Sequence, residues 1–433
     1  MTPASSRPTR EEQAHLEAGQ TTITPGVTRA LVGGFLALCC AMPLFELSQV
    51  LRGDEAARAP WRRLAGIPSD VQARTAGRTG TAQTIVAGNR AVLEGIHDFE
   101  DAIEDEARIG RLLRPRAQVF LSGVLGAGNE QAYLGREESW LFFRRDVDAV
   151  TARGLLDSAV LEGRRRSGSE WTAPPQPDPR EAILRFNQDL AAQGITLILL
   201  PTPVKPAIQP DQLARAFARP DTAPVNADQA ALLQQLRDAG VRILDPTDIL
   251  FRSARTGSTQ YLATDTHWRP EAAEAVALLM ADEITRTIAA NAGEPRYTAQ
   301  ALDITNRGDV FAMLDLPEGQ PLIDAETVTI RQVRAADGSA WRSAPDADVL
   351  VLGDSFSNIY SLESMGWGTG AGFVEHLSLA LQRPVDRIVQ NDAGAYATRE
   401  LLQRAGPERL RGKKVVVWQF ATRELVFGDW RVY

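Results

Sequence analysis

The chain has 433 residues, of which 44% are hydrophobic and 24% charged, an ordinary balance for one large folded domain or two smaller ones. A formal net charge of −8 provides no basic field for nucleic acid, which excludes that class of partner. The two cysteines, Cys39 and Cys40, are adjacent. Adjacent cysteines make a poor structural disulfide, and a structural zinc site built from thiolates is excluded.

The first segment of the chain predicts a tail followed by a membrane anchor. Residues 1–29 are polar and predict a disordered tail. Residues 30–45 carry no charge, and residues 30–50 together are long enough to predict a membrane helix. A buried core helix and a cleaved signal peptide remain alternatives. Arginines flank the segment on both sides, so the positive-inside rule does not orient it.

The next segment, residues 51–125, predicts a helical linker region, since apolar residues recur at helical spacing from 80 to 120. Residues 126–146 then predict a loop that leads into a strand around 139–143. We therefore place the start of the main folded domain, residues 126–433, at this point.

From residue 180 onwards helices alternate with short apolar strands. The predicted helices are 181–193, 227–239, 270–289 and 372–382, and the predicted strands are 195–200, 241–244, 349–352, 387–390 and 415–419. A break is expected at 201–203 because two prolines occur there. The alternation predicts an α/β fold, with a mostly parallel sheet covered by helices on both faces. Residues 297–341 fit this pattern poorly and predict an insertion.

Polar residues follow three of the predicted strands. They are Gly353-Asp354-Ser355, Asn391-Asp392 and Thr422-Arg423-Glu424. Ligands bind beyond the carboxyl ends of strands in open α/β sheets, so these clusters are expected to converge on one site.

Ser355 is the predicted nucleophile. It follows a buried strand and Gly353, whose lack of a side chain permits a sharp turn and brings backbone N–H groups close to the serine. A serine hydroxyl placed there attacks acyl carbonyls, while its own N–H helps to bind the developing oxyanion. The alternative is that Asp354 and Ser355 only cap a helix.

His267 is the predicted general base, and Asp265 is predicted to orient it. In an extended segment, residues two apart point the same way, so the carboxylate can hold Nδ1–H and leave Nε2 free. The alternative is a surface loop in which the aspartate caps the next helix. A metal site needs a third ligand, and the pair has no obvious one in the sequence, so we predict neither a metal nor a cofactor.

Three further residues are candidates for binding substrate. Asn391 follows a strand and is predicted to donate to the oxyanion, although asparagine is also a common turn residue. Arg423 and Tyr360 are predicted to line an acceptor groove for sugar rings, as is Trp418, for which core packing is an equal alternative.

These motifs together resemble the SGNH-like polysaccharide O-acetyltransferases of the alginate-acetylation type, the AlgJ/AlgX group. The resemblance covers about residues 95–430. It rests on the ordered set YLGREESWLFFRRD, TDTHW at 264–268, RGDVFAML at 307–314, VLVLGDSFSN and WQFATREL. The pair Asp265 and His267 precedes Ser355, which matches the circularly permuted order of that group rather than the order of ordinary SGNH hydrolases.

The resemblance implies an SGNH-hydrolase-like fold and an acetyl group carried on Ser355, with His267 as base and Asp265 as its orienting residue. It also implies a single-pass protein of the inner membrane, with residues 1–29 as a disordered cytoplasmic tail and the catalytic domain in the periplasm. The implied partners are a polysaccharide acceptor and a membrane-bound O-acyltransferase that delivers acetyl groups. Some members carry a further carbohydrate-binding domain, for which this chain leaves no room after its last strand.

Two other functions remain open from the sequence. The same triad would serve a carbohydrate esterase or deacetylase, in which water replaces the sugar as the acceptor. A non-catalytic scaffold or sugar-binding subunit of a polysaccharide export complex is the second alternative, and it would not depend on Ser355.

Overall fold

The computed structural model describes residues 24–77, 80–106, 108–137, 139–167, 174–215, 221–288, 295–317, 319–320, 322–391 and 394–433. The chain divides into two units, Met1–Arg114 and Pro115–Tyr433. Long helices begin the described part of the chain: α1 (Pro25–Leu51), α2 (Glu55–Thr75), α3 (Thr81–Glu106) and α4 (Arg108–Leu125). The helical pattern predicted for 80–120 is therefore confirmed.

Helix α1 is the apolar segment of the sequence. Thr24 caps it by accepting a 3.4 Å hydrogen bond from the Val27 N–H, and Pro25 occupies the first turn, where a missing N–H costs nothing. The helix thus starts earlier than residue 30, and the predicted tail otherwise lies outside the described residues. The helix has 27 residues, and its most apolar 18-residue stretch has a mean hydropathy of 2.0 and contains no buried residue. Helix α1 is therefore long and apolar enough to cross a membrane.

A five-stranded parallel sheet forms the centre of the second unit. Its strands are β3 (Thr196–Thr202), β4 (Arg242–Ile243), β7 (Val349–Gly353), β8 (Asp386–Val389) and β9 (Val415–Ala421), following β1 (Ala132–Leu134) and β2 (Leu141–Phe143) in the chain. The order is β4-β3-β9-β7-β8, and every pairing is parallel. The predicted break at 201–203 is wrong in part, because Pro201 and Thr202 stay in register with Phe420 and Ala421.

Both faces of this sheet are buried. Alternate residues of the central strands enter two separate apolar clusters: Val349 and Val351 on one face, Leu350 and Leu352 on the other. The helices that pack on these faces are α7 (Pro179–Ala191), α10 (Gln229–Asp238), α12 (Pro270–Ile288), α15 (Phe373–Leu381) and α16 (Ala397–Ala405). The other helices of this unit are α5 (Arg144–Thr151), α6 (Ser158–Arg166), α8 (Lys205–Ile208), α9 (Pro210–Leu213), α11 (Thr247–Arg255), α13 (Gly308–Met313), α14 (Ser355–Asn358) and α17 (Arg423–Phe427). The predicted α/β architecture with helices on both faces is confirmed.

The region that fitted the alternation poorly is a separate antiparallel hairpin. Its strands, β5 (Tyr297–Asn306) and β6 (Glu326–Ala335), pair along their whole length, and α13 lies between them in the chain. A second small hairpin pairs β1 with β2, which confirms a strand near residues 139–143. Both hairpins contribute residues around the carboxyl ends of the sheet strands, where the candidate site lies.

Candidate active site

Ser355 lies at the turn between β7 and α14. It is the first residue of α14 and is 5% exposed, with the side chain of Asp354 capping the helix. A side chain at Gly353 would clash with the hydroxyl of Ser357, so the close packing of this turn requires glycine. The cap predicted as an alternative is therefore present, and it is made by Asp354 rather than by Ser355.

Gln419 of β9 fixes this turn. Its Oε1 accepts from the Asp354 N–H at 3.0 Å and from the Ser357 hydroxyl at 2.7 Å, while its Nε2 donates to Asp354 Oδ1 at 2.8 Å. The other oxygen of Asp354 accepts from the Ala421 N–H at 2.8 Å. Because these groups are paired with one another on neighbouring strands, the main chain that carries Ser355 has little freedom to move.

Asp265 and His267 form a buried hydrogen-bonded pair. Asp265 Oδ1 lies 2.6 Å from His267 Nδ1 and accepts from the His267 backbone N–H at 3.0 Å. Its Oδ2 accepts from the Trp367 indole N–H at 2.8 Å and from the Asp309 backbone N–H at 3.0 Å. Both oxygens of this carboxylate are therefore filled by donors, which fixes its plane.

The charges of this pair stabilise each other. Burial opposes the charge on Asp265, but the neighbouring imidazolium and the hydrogen bonds from His267 and Trp367 outweigh it and lower the pKa of Asp265 to about 2. Burial likewise opposes a charge on His267, and the adjacent Asp265 carboxylate outweighs it, so the pKa of His267 is raised above its usual value. A base with a raised pKa accepts a proton readily.

The segment Thr264–Trp268, called the histidine segment below, packs directly against the helix that begins with Ser355. The His267 ring centroid lies 4.7 Å from that of Phe356, the residue after Ser355. Trp268 Nε1 donates to the Phe356 carbonyl at 3.1 Å, and the Tyr360 hydroxyl donates to the Trp268 carbonyl at 2.7 Å. Within the described residues, His267 Nε2 is buried and has no hydrogen-bond partner. The fold thus packs the segment that holds Asp265 and His267 against the helix that begins with Ser355.

A cleft of about 340 Å³ opens at Ser355. It is lined by Phe143, Arg145, Asp354, Ser355, Gly394, Tyr396, Arg423, Glu424, Phe427, Gly428 and Asp429. Arg423 donates to Asp146 Oδ1 at 3.0 Å, and its guanidinium lies 5.8 Å from the centroid of the Phe356 ring. Burial opposes the Arg423 charge, but Asp146 outweighs it and raises the arginine pKa further, whereas burial dominates at Asp146 and raises its pKa.

Two of the other predicted residues lie away from this cleft. Tyr360 is fully buried and donates its hydroxyl to a main-chain carbonyl, so the expectation that it lines an acceptor groove is corrected to a packing role. Trp418 is also fully buried. Asn391 accepts from Asn358 Nδ2 at 3.0 Å and directs its own Nδ2 to the sulfur of Met365, so its oxyanion role stays a prediction. Asp392 lies outside the described residues.

Lys205 is a residue that the sequence reasoning missed. Its ammonium donates to the carbonyls of Leu141, Ala263 and Asp265, the last two at 2.7 and 3.1 Å, and the side chain is 1% exposed. Burial lowers its pKa to about 7 against the pull of nearby carboxylates. The signal was its rarity: the chain has only three lysines, and this one follows a buried strand.

Asp309 is the second residue that the sequence reasoning missed. It is a possible third metal ligand beside Asp265 and His267, and no such third ligand was apparent in the sequence. Ligand atoms of Asp265, His267 and Asp309 all lie within 4.8 Å of one another. However, a cation at Asp265 would compete with the N–H donors that already fill both of its oxygens. The arrangement is that of a carboxylate saturated by hydrogen bonds, and the absence of a metal stays a prediction.

The chain is similar to several known proteins. A family model described as "SGNH hydrolase-like domain, acetyltransferase AlgX" matches residues 161–422. A protein of Pseudomonas aeruginosa named "Probable alginate O-acetylase AlgJ" is 27% identical over 256 residues, which cover 56% of this chain and 63% of the relative. A protein of the same name from Pseudomonas syringae pv. tomato is 26% identical over 340 residues, 75% of this chain and 77% of the relative.

The match thus spans less than two thirds of the Pseudomonas aeruginosa relative. Among solved structures, the O-acetyltransferase domain of Pseudomonas putida AlgJ is similar with a TM-score of 0.49 and 23% identity, covering 68% of this chain and 91% of that one. Pseudomonas aeruginosa AlgX is similar with a TM-score of 0.48 and 16% identity, covering 68% and 65%.

Proposed function

Because this chain belongs to the family described as "SGNH hydrolase-like domain, acetyltransferase AlgX", we propose that it is an O-acetyltransferase in which Ser355 carries the acetyl group. The observation that carries the proposal is the state of His267. Its Nδ1 is held by Asp265 at 2.6 Å, while its Nε2 is buried and unpartnered within the described residues, and its ring lies 4.7 Å from that of Phe356, the residue after Ser355. A histidine held in this way takes a proton from a serine hydroxyl.

The proposed reaction has two steps. In the first, His267 takes the Ser355 proton as Oγ attacks the acetyl carbonyl, the bond to the donor breaks, and the proton passes to the leaving group. In the second, an acceptor hydroxyl gives its proton to His267 and attacks the acetyl ester, and the proton returns to Ser355. The chain order, with Asp265 and His267 before Ser355, is the circularly permuted order proposed for this triad.

The backbone N–H at Ser355 supports the oxyanion in this proposal, because a turn that leads into a helix directs N–H groups toward a developing negative charge. Asn391 is proposed as a second donor after a side-chain rotation that releases Met365. Arg423 lines the cleft beside Ser355 and is proposed to bind the acceptor. Its pairing with Asp146 leaves a fixed guanidinium with N–H groups to offer a sugar hydroxyl or carboxylate.

The proposed acceptor is a hydroxyl of an exported polysaccharide, alginate being the polymer that the relatives are named for. Helix α1 is proposed as a single-pass inner-membrane anchor that leaves the catalytic domain in the periplasm. In that compartment acetyl groups have to arrive through the membrane, so we propose a membrane-bound O-acyltransferase partner as their source. The proposed domain limits are an anchor within 30–50, a helical linker to 125 and the acetyltransferase domain from 126 to 433.

The test is intact-protein mass spectrometry of the full chain in detergent, incubated with an activated acetyl ester. It is run with and without polysaccharide oligomers, and with Ser355→Ala beside the wild type. We expect an acetyl adduct that requires Ser355 and that is discharged onto the sugar. An adduct lost equally fast to water, without acetylated sugar, would make the protein an esterase. Full function of Ser355→Ala in cells would make it a scaffold and refute the proposal.

A further inference from the structure

The β5–β6 hairpin, together with helix α13 between its strands, is hydrogen-bonded to the histidine segment and to Ala263 before it. Helix α13, which lies between β5 and β6, contributes the Phe311 N–H, which donates to the Thr264 carbonyl at 3.1 Å. From β6, Glu326 accepts from the Ala263 N–H at 2.7 Å. The main chain on the N-terminal side of Asp265 is therefore bound by this insertion and not by the central sheet alone.

Asp309 contacts this segment through both its main chain and its side chain. Its backbone N–H donates to Asp265 Oδ2 at 3.0 Å. Its carboxylate accepts from the Thr266 backbone N–H at 2.7 Å and from the Thr266 hydroxyl at 2.8 Å. Thr266 separates Asp265 from His267 in the chain, so one residue holds both the orienting carboxylate and the peptide that links it to the base.

Gly308 permits this approach. Its φ of +70° lies in the left-handed region, and a Cβ there would lie 2.6 Å from the Cβ of Asp265. A side chain at residue 308 would therefore push α13 away from the pair. The sequence Gly308-Asp309 at the start of a short helix is thus the way in which the fold brings a second carboxylate to His267.

The second carboxylate also acts through its charge. Asp309 Oδ2 lies 3.7 Å from His267 Nδ1, with the side chain of Asp309 34% exposed and that of His267 3% exposed. An anion at this distance stabilises the imidazolium that forms when His267 takes the serine proton. Partial burial and the adjacent Asp265 carboxylate raise the pKa of Asp309 to about 6, so Asp309 is ionised at neutral and higher pH.

We propose that Asp309 is a positioning residue for the reaction: its main chain and carboxylate hold the Asp265-Thr266-His267 segment in place, and its charge stabilises protonated His267. The proposal rests on the proposed function of Ser355, since His267 is taken to be the base of that reaction. No step requires Asp309 to touch the substrate, and its effect is exerted through His267.

The test compares matched variants of the full chain, with EDTA in every buffer. Asp309→Asn keeps an oxygen for the Thr266 N–H and leaves the backbone contact with Asp265 intact, but it removes the charge. Thr266→Val removes the hydroxyl contact at constant shape, whereas Thr266→Ser keeps the hydroxyl. The control is Asp303→Asn, which removes an exposed aspartate bound to the Thr329 hydroxyl at 2.6 Å in the same hairpin.

Two readouts are measured: the pH dependence of Ser355 acylation by an activated acetyl ester, and the titration of the His267 imidazole by NMR. For Asp309→Asn we expect acylation about tenfold slower, an acid limb lower by about one pH unit, and a matching fall in the His267 pKa. Thr266→Val should slow acylation, Thr266→Ser should restore it, and Asp303→Asn should match the wild type.

Two outcomes would overturn the proposal. One is an Asp309→Asn protein with the wild-type rate and the wild-type acid limb. The other is a slower protein whose acid limb and His267 titration do not move, because that result would indicate only a loss of structure. If the wild type forms no adduct that depends on Ser355, the proposed function fails. The His267 titration of Asp309→Asn then still decides whether Asp309 holds the pair.

Discussion

Trp367 donates its indole N–H to Oδ2 of Asp265 at 2.8 Å, across 102 positions of the sequence. Both side chains are buried, and the bond fills the carboxylate oxygen that does not face His267. The indole therefore helps to keep Asp265 ionised and fixed beside the imidazole.

Replacement of Trp367 by phenylalanine removes the donor and keeps an aromatic ring. We expect Ser355 acylation to slow by about three- to tenfold, because loss of one hydrogen bond to a buried carboxylate costs about 1 kcal/mol or more. The measurement is the initial rate with an activated acetyl ester. Trp341→Phe is the matched control, since the Trp341 indole N–H is buried without a partner in the described residues. Equal rates in the two variants would contradict the role given to Trp367.

The pH dependence of acylation follows from the raised pKa of His267. The base must be neutral to take the serine proton, so the rate falls as the pH drops through the folded-state pKa. Because that pKa is raised, the acid limb of the profile is expected above about pH 6.5, the usual value for histidine. In Asp265→Asn, the acid limb of the residual activity should lie at lower pH, and acylation should be slower on the order of 10³-fold. An acid limb clearly below pH 6.5 in the wild type would be inconsistent with this account.

Lys205→Met is expected to destabilise the second unit by about 2–5 kcal/mol. The substitution leaves the carbonyls of Leu141, Ala263 and Asp265 without their shared donor in a buried place. Chemical denaturation followed by tryptophan fluorescence measures the effect. Lys414→Met is the control, because the Lys414 side chain is 61% exposed and lies 3.5 Å from Asp348. A stability change no larger than that of the control would refute the structural role of Lys205.

The pair Arg423 and Asp146 is expected to behave as a coupled unit. Arg423→Met leaves a buried carboxylate without its cation and should destabilise the fold by about 3 kcal/mol, whereas adding Asp146→Asn should recover part of that loss. Thermal unfolding of the two single variants and the double variant gives the coupling. Strictly additive effects would show that the pair does not interact in solution.

Helix α1 gives a prediction about membranes. A chain that begins at residue 52 should remain soluble in a flotation assay with lipid vesicles, while the full chain floats with them. Leu36→Arg should weaken insertion, since an arginine at the centre of a spanning helix costs about 2.5–3.5 kcal/mol. Flotation of the truncated chain equal to that of the full one would assign membrane binding to another part of the protein.

The sequence by itself determined the α/β alternation, the apolar N-terminal helix and the strand-turn-helix that carries Ser355. These features are local: buried parallel strands are continuous apolar runs, helices have their own period, and a glycine-containing turn follows from neighbouring residues. The sequence also indicated that the side chains of Asp265 and His267 can meet, because only one residue separates them in the chain.

Only the tertiary structure decided which other residues reach this pair. Asp309 and Trp367 arrive from the hairpin insertion and from the loop after α14, and Lys205 arrives from the end of β3, so their nearness depends on how separate segments cross. The same crossing buried Tyr360, which the sequence had suggested for the cleft. Hydrogen bonds to a fixed carboxylate need donors within about 3 Å, and a linear pattern of residues carries no information on distances of that kind between remote segments.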